Sequence, residues 1–339
     1  MALYALDDID DAIDVTRGLL TPVDRTVWVK LAVVAFFIGG PGAGFNGFQY
    51  TFGGNGGTGG PPPGGVVTPD LGFPVWALIA AIVGVVLLIA LAFALVGSIM
   101  EFVFVESLRS EEVTIRRYWG RRWRQGVRLF GFRVLIGFVV LGTAALTAGF
   151  GILFFDRIDP GAVAALVLVL LPVFLVLALV VGLVNGFTTV FVVPLMILED
   201  CGVLAGWRRL WPTVTAHWEQ YLAYAVVSFF LSIVGGVLVA IAVGVLALLL
   251  LVPFGVLFGI AVALLVFVSE PVGIGALVVV GILFGLAVLA VAALVQVPVQ
   301  AYLRYYALLV LGDVDPEFDL IPDQRAAVRE PPSESASSG

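Results

Sequence analysis

The residue types that carry catalysis or metal binding are scarce in this chain of 339 residues. It has one histidine, His217, and one cysteine, Cys201, so a histidine-based zinc site, a catalytic triad and an internal disulfide framework all lack the residues they need. The acidic pair Glu199 and Asp200 follows a long apolar run, but no base or metal ligand accompanies it. We therefore expect no catalytic residue, no metal site, no cofactor and no enzyme activity.

Polar side chains inside the apolar runs form the best candidate site. Four of them interrupt these runs: Glu101, Asn185, Gln296 and Gln300. Such groups are costly inside a membrane, so their presence suggests a substrate or ion path. The alternative is structural, with amide hydrogen bonds between helices and an ion pair of Glu101, for instance with Arg133 or Arg304. The absence of any nucleophile–base pair or metal cluster in the same runs favours the structural alternative.

The elements that must position these side chains are membrane helices. Hydrophobic residues make up 61% of the chain and charged residues 12%, about half the charged fraction of an ordinary globular domain. Several apolar runs exceed the roughly 20 residues that cross about 30 Å of hydrocarbon. They are solidly apolar rather than alternating, which argues against a transmembrane barrel. The sequence predicts an all-α fold, a polytopic transmembrane helical bundle.

The distribution of arginine predicts the orientation of this bundle. Eight arginines lie within Arg109–Arg133, and Arg208 and Arg209 follow a later span. Short loops rich in arginine stay in the cytoplasm, so we expect these segments and both termini to be cytoplasmic. Both termini share one side only if the number of spans is even.

We expect six spans, the first over Pro22–Gly40 with Thr21 as its N-cap and the last over about Val272–Leu311. The continuous apolar stretch Leu222–Val268 is long enough for two spans, which would give seven. Six spans require Leu251–Pro271 to be a broken or re-entrant piece packed within the bundle.

The segments between the spans complete the predicted organisation. A Gly/Pro-rich stretch resembles a phosphate-binding loop in composition, but no Gly-Lys-Ser/Thr follows it, so we interpret it as an external loop. We expect a single integral membrane domain over 1–312, with an amphipathic helix over 1–20, the external loop over 41–74, amphipathic cytoplasmic Trp/Arg helices over 110–126 and 202–220, and an acidic, disordered tail over 313–339.

The two Trp/Arg helices follow spans that end in acidic residues, about 90 residues apart, which indicates an internal duplication. Tryptophan favours the headgroup level and arginine reaches lipid phosphates. The candidates for headgroup contact are Arg116, Arg117, Arg121, Arg122, Arg208 and Arg209. The alternative is that they only orient and anchor the chain. The expected partners are membrane lipids and other membrane proteins, and not nucleic acid, because the membrane already accounts for the basic segments.

The second half of the chain carries a recognisable set of residues. They are Pro194, Leu198, Glu199, Gly202, Val203, Ala205, Arg208, Arg209, Trp211 and Trp218. This set resembles the membrane domain of glycerophosphoryl diester phosphodiesterases, and Val297–Asp313 resembles its closing span. In those enzymes catalysis belongs to a separate soluble barrel, so the resemblance implies a fold and no activity.

The whole chain looks most like uncharacterised integral membrane proteins of halophilic archaea. Its net charge of −7 and its single lysine suit a salty cytoplasm, where repulsion between carboxylates is screened. Two hypotheses for function follow. The first is a non-catalytic protein of the cell membrane that organises membrane or partners. The second is a transporter or lipid-handling permease that uses the four polar side chains.

Overall fold

The computed structural model describes residues 4–52, 75–154 and 160–329, and every regular element in these ranges is helical, which confirms the predicted all-α bundle. The helices are α1 (Tyr4–Leu20), α2 (Arg25–Phe52), α3 (Val75–Ser110), α4 (Ile115–Phe154), α5 (Pro160–Phe187), α6 (Val193–Glu199), α7 (Val203–Ala216), α8 (Trp218–Phe267), α9 (Glu270–Val314) and α10 (Pro322–Arg329). A π turn (Thr188–Val192) joins α5 to α6, and a 3₁₀ turn (Pro316–Phe318) precedes α10.

Five helices within the described residues are long and apolar enough to cross a membrane. Their candidate spans are Trp76–Ser110, Ile115–Thr147, Leu168–Glu199, Trp218–Phe267 and Glu270–Val314. The first expected span, Pro22–Gly40, falls largely in α2, which is not among these five. The helices identify a membrane protein by their length and composition.

The buried core lies at one end of the long helices. Consecutive residues are buried there on all sides of each helix, as in Phe102–Val105 of α3, Phe191–Ile197 and Tyr305–Leu311 of α9. Elsewhere α3, α4, α5, α8 and α9 expose most of their aliphatic side chains. We call the packed end, together with α1, α6, α7 and α10, the head. The exposed aliphatic parts are suited to lipid and the head to tight packing.

The N-terminal helix α1 has one buried side and one partly open side. Ala5, Asp8 and Ala12 are buried, and α1 packs mainly along α9. The other side of α1 is partly open, since Leu6 is 54% exposed and Ile13 44% exposed. The small side chains of Ala5 and Ala12 allow close contact with α9, and Leu6 and Ile13 are left at the surface.

The first long helix begins later than expected. The N-cap predicted at Thr21 is wrong, because α2 begins at Arg25 and the Asp24 carboxylate accepts a hydrogen bond from the Thr26 N–H at 2.7 Å. Asp24 therefore performs the capping role. The helix continues through Phe52, so the first part of the predicted loop 41–74 is helical. Residues 53–74 lie outside the described ranges.

The two predicted Trp/Arg segments are both helical but differ in how they continue. The segment predicted at 110–126 begins as α4 at Ile115 and runs without interruption into the following span. The segment predicted at 202–220 forms the separate helix α7, and α8 follows at Trp218. Glu111 and Asp200, 89 positions apart, both have positive φ, of 53° and 50°. This shared backbone turn supports the duplicated plan.

The broken or re-entrant piece predicted at Leu251–Pro271 is wrong for residues 251–267, which are part of a continuous helix. Helix α8 runs unbroken through Pro253 to Phe267, and α9 begins at Glu270 after a short turn. A proline inside a membrane helix removes one backbone hydrogen bond, and adjacent helices make this tolerable. Helices α8 and α9 make the most extensive helix–helix contact of the described fold. The two helices form one long hairpin.

The acidic tail expected at 313–339 is ordered through Arg329. Helix α9 extends to Val314, and Phe318, Leu320 and Ile321 are buried against the head. The acidic composition concealed these three apolar anchors. Residues 330–339 lie outside the described ranges.

Candidate functional site

Glu101 is the centre of an ionic cluster where the exposed parts of the helices enter the head. Its carboxylate lies on α3 and binds the Arg304 guanidinium of α9 through Nη2 and Oε2. Arg133 Nη2 of α4 lies 3.5 Å from Oε1 of the same carboxylate. The side chains of Glu101 and Arg304 are 4% and 8% exposed, and that of Arg133 is 29% exposed. Both ion partners suggested by the sequence are therefore present.

The π turn supplies the other polar groups of this site. Val193 donates its N–H to the carbonyl oxygen of Thr188 instead of that of Thr189, and Pro194 has no N–H to offer. The Thr189 carbonyl oxygen thus lacks a helical donor and accepts a hydrogen bond from Arg304 Nη1. Its hydroxyl oxygen accepts one from Arg133 Nη2 at 2.7 Å. A proline-linked π turn often marks a functional position, and here it presents two oxygens to two arginines.

Ser98 completes the set, because its hydroxyl oxygen accepts from Arg133 Nη1 at 3.3 Å. We define the ionic site by five residues: Ser98, Glu101, Arg133, Thr189 and Arg304. They come from α3, α4, the π turn and α9, so the site links four parts of the chain.

The charges of the ionic site do not balance. Two guanidinium groups share one carboxylate, and no other acidic group within the described residues pairs with either arginine. The site therefore carries one surplus positive charge in partly buried surroundings. Unpaired charge of this kind is unfavourable unless a further anion or water reaches it.

Helix lengths give a measure of how deep the ionic site would lie in a membrane. Glu101 lies 25 residues after Trp76, which is about 38 Å along α3. Arg133 lies 21 residues before Phe154, or about 32 Å along α4. The hydrocarbon core is about 30 Å thick, so both residues would fall close to the headgroup level on the side of the head if Trp76 and Phe154 mark its opposite edge.

The structure does not bring the four predicted polar residues together. Only Glu101 belongs to the ionic site. Asn185 is half-buried one turn before Thr189, whose hydroxyl donates to its carbonyl oxygen at 2.9 Å. Gln296 and Gln300 are half-buried, two turns and one turn before Arg304 on α9, and neither side chain bonds to a residue of the ionic site. Helical spacing put them on the right face but not within reach.

A second charged cluster, which the sequence analysis missed, joins the two ends of the chain. Arg329 of α10 binds Asp8 and Asp11 of α1 and Asp313 of α9, each at 2.7 Å. Arg325 also binds Asp313, at 3.0 Å. The signal was Arg325 and Arg329 within the tail that we expected to be disordered. We call Asp8, Asp11, Asp313, Arg325 and Arg329 the terminal cluster.

Asp8 is the least solvated member of the terminal cluster, with no exposed surface. Burial, and next the neighbouring charge of Asp313, raise the pKa of the Asp8 carboxyl from 3.8 to about 8. Its partners raise the pKa of Arg329, chiefly through the hydrogen bond to Asp313. The raised pKa favours the protonated carboxyl of Asp8, and its oxygen accepts a hydrogen bond from Arg329 at 2.7 Å.

Comparison with known proteins adds the family and no activity. Residues 3–321 match the model of a family of unknown function (DUF7544). The chain belongs to this family. No curated protein and no solved structure matches it. The resemblance to the membrane domain of glycerophosphoryl diester phosphodiesterases and to haloarchaeal proteins therefore stays a prediction.

The arginines expected to meet lipid headgroups differ in this DUF7544 protein. The expectation is wrong for Arg122, which is buried and whose guanidinium bonds to Gln125, the Ile197 carbonyl and Asp200. Arg121 is exposed, with Glu106 3.7 Å away. The exposed set also includes Arg116, Arg117, Arg208 and Arg209. Arg209 is engaged, because it binds Glu199 at 3.1 Å and Glu317 at 2.7 Å.

The acidic pair Glu199 and Asp200, at the end of α6, links this helix to α7 and to α4. Glu199 binds Arg209 of α7, and Asp200 accepts a hydrogen bond from Gln125 of α4 at 2.8 Å. Within the described residues of this DUF7544 member, no group of three His, Cys, Asp or Glu side chains could hold a metal ion. The pair fixes the junction between two helices of the head.

Proposed function

We propose that this member of DUF7544 is a non-catalytic integral membrane protein that organises lipids or partner proteins at the cytoplasmic face of the cell membrane. The observation that carries the proposal is that the Glu101 carboxylate forms ion pairs with two arginines. The carboxylate best placed for proton or ion handling already binds Arg133 and Arg304. A group held by two ion pairs stabilises the helix arrangement and is poorly suited to exchanging ions.

The surface of the head supports membrane contact beside the spans. On α7, Leu204 is 71% exposed and Trp211 is 59% exposed, and Arg208 lies next to them in a shallow cavity of about 640 Å³. Trp123 and Trp218 are also exposed. Tryptophan beside arginine is typical of the headgroup level. The positive-inside rule would then place the head, and both termini with it, in the cytoplasm.

A test of this proposal separates folding from transport. Glu101 and Gln296 would each be replaced by leucine, and protein abundance and solute or lipid flux would be measured in the same cells. The proposal expects Glu101→Leu to lower abundance and Gln296→Leu to leave it unchanged, with no specific flux lost in either. Abundance at the normal level together with a lost flux would contradict it.

The second candidate is a lipid-handling permease. It is favoured by the surplus positive charge of the ionic site, which lies beside an apolar groove between α2 and α3. A deletion strain distinguishes the two functions. A permease predicts an altered lipid distribution between leaflets, and the organising role predicts altered partner or lipid clustering at an unchanged distribution.

A further inference from the structure

A groove between α2 and α3 opens onto the ionic site. Its volume is about 450 Å³, which lies within the range of small-ligand pockets. Its wall includes Phe37, Ile89, Phe93 and Ala90, and Arg133 is its one charged residue. An apolar channel with a single guanidinium is complementary to a molecule with one anionic group and a hydrocarbon chain.

The close approach of α2 and α3 forms one end of the groove. The rings of Phe37 and Phe93 stack at 5.6 Å. A Cβ atom on Gly97 would lie 2.6 Å from the Phe37 carbonyl oxygen, so only glycine permits this approach. The packing of the two helices therefore holds the groove in shape.

Arg133 can accept a further anion. It is the most exposed of the three charged residues of the ionic site. Its Nη atoms bond to Ser98, Glu101 and Thr189, and its Nε makes no hydrogen bond to any described residue. The surplus positive charge of the ionic site lies beside the groove, because Arg133 lines it. A charge-assisted hydrogen bond to phosphate is stronger than a neutral one and would offset that surplus.

The depth of Arg133 agrees with a lipid phosphate. It lies about 32 Å along α4 from Phe154, which is near the headgroup level. From Gly97, the groove follows α3 back to Val86, a distance of about 16 Å towards the opposite leaflet. A chain attached to a phosphate at Arg133 would thus run in the direction of the acyl chains of the surrounding bilayer.

We propose that this groove binds one membrane lipid, with its phosphate at Arg133 and an acyl chain along Phe93, Ile89 and Val86. The proposal does not rest on the organising function, because a structural lipid and a transported lipid would occupy the same groove. It names a binding site and the chemical class of its ligand.

Binding of defined lipids to the purified full-length protein tests the ligand class. Delipidated protein in detergent would be titrated with phosphatidylglycerol and with diacylglycerol of the same chains, by native mass spectrometry. We expect phosphatidylglycerol to bind at least about tenfold more tightly, because only it carries a phosphate. Inorganic phosphate at equal concentration should not displace it, since a free anion cannot fill the apolar channel.

Two variants with matched controls test the position of the site. Ala90→Trp fills the groove from an exposed position, and its control Ala92→Trp adds the same bulk on α3 outside the groove. Arg133→Gln removes the charge, and its control is Arg124→Gln on the exposed surface of α4. We expect both test variants to weaken phosphatidylglycerol binding at least tenfold and both controls to change it less than twofold.

Ala90→Trp keeps the proposal testable if Arg133→Gln fails to fold, because it leaves the ionic site intact. Equal binding of the two lipids would overturn the proposal, and so would an Ala90→Trp variant that binds like Ala92→Trp. Displacement by inorganic phosphate would also overturn it, in favour of a free-anion site. None of these outcomes bears on whether the protein organises partners in cells.

Discussion

Glu101 binds Arg304 across 203 positions of sequence, and this pair joins α3 to α9 at the edge of the head. Both side chains are almost fully buried, and Arg304 also holds the Thr189 carbonyl that the π turn leaves without a backbone donor. The pair therefore couples the long-range packing of two helices to a local irregularity in a third. Because of this coupling, we expect substitutions in the ionic site to disturb the packing of several helices.

Replacing Glu101 by glutamine should destabilise the protein strongly. The buried guanidinium of Arg304 and the half-buried one of Arg133 would lose their one carboxylate, and removal of one partner from a buried ion pair typically costs about 3–5 kcal/mol. Arg133→Gln should cost less, because Arg133 is 29% exposed and Arg304 would keep the carboxylate. Thermal unfolding in lipid nanodiscs, followed by tryptophan fluorescence, measures both.

The control for this series is Glu219→Gln, at an exposed position on α8. The double variant Glu101→Gln/Arg304→Gln should lose less than the sum of the two single variants, because it removes both charges of the pair. Strict additivity would show that the two side chains do not interact energetically.

The sequence predicted the partners of Glu101 but not the geometry of the site. Arg133 and Arg304 were suggested as alternative ion partners of Glu101, and the carboxylate pairs with both. The π turn could not be predicted, because it depends on the backbone bond of Val193 to Thr188 beside Pro194. Whether a proline kinks, breaks or only perturbs a helix is decided by the packing around it.

The prediction that the tail is disordered was wrong because it rested on the average composition of the segment. Residues 313–329 are rich in acids, and the average composition suggested disorder, but Phe318, Leu320 and Ile321 are buried. Three apolar anchors and two arginines are enough to fold the segment onto α1. Averages over a segment do not register so small a set of contacts.

Asp8 should make the stability of the head depend on pH. Its folded pKa, about 8, lies above the unfolded value of 3.8, so the folded state retains a proton that the unfolded state releases. The contribution of Asp8 to the free energy of unfolding is therefore full below pH 3.8, falls as the pH rises towards 8, and then levels off. The limiting slope is about 1.4 kcal/mol per pH unit. The groups that face Asp8 are Asp11, Asp313 and Arg329.

Asp8→Asn should remove this slope, because asparagine is neutral at every pH and keeps an oxygen for Arg329. Unfolding measured from pH 5 to pH 8 should show the variant gaining stability relative to the parent protein as pH rises. Asp7→Asn, at an exposed position one residue away, is the control. An unchanged pH dependence in Asp8→Asn would show that the carboxyl of Asp8 is already ionised in the folded state.

Gln296 and Gln300 should tolerate apolar replacement. Both are half-buried, and neither bonds to the ionic site, so Gln296→Leu and Gln300→Leu remove polar groups from lipid or from weakly polar contacts. We expect thermal stability to stay within about 0.5 kcal/mol or to rise. A loss above about 2 kcal/mol would instead show that these amides form hydrogen bonds that hold α9 in the bundle.

Cys201 reports the orientation of the head. The thiol is half-buried at the junction of α6 and α7, and burial, followed by the charge of Glu199, raises its pKa. Because the thiolate is the reactive form, labelling should be slow at pH 7 and faster at pH 8.5. A membrane-impermeant maleimide should label Cys201 in inverted vesicles but not in intact cells if the head is cytoplasmic.

In a Cys201→Ala background, Thr215→Cys on α7 should follow the same pattern, and Ser269→Cys at the α8–α9 turn should show the reverse. Labelling of Cys201 and Thr215→Cys in intact cells would place the head outside.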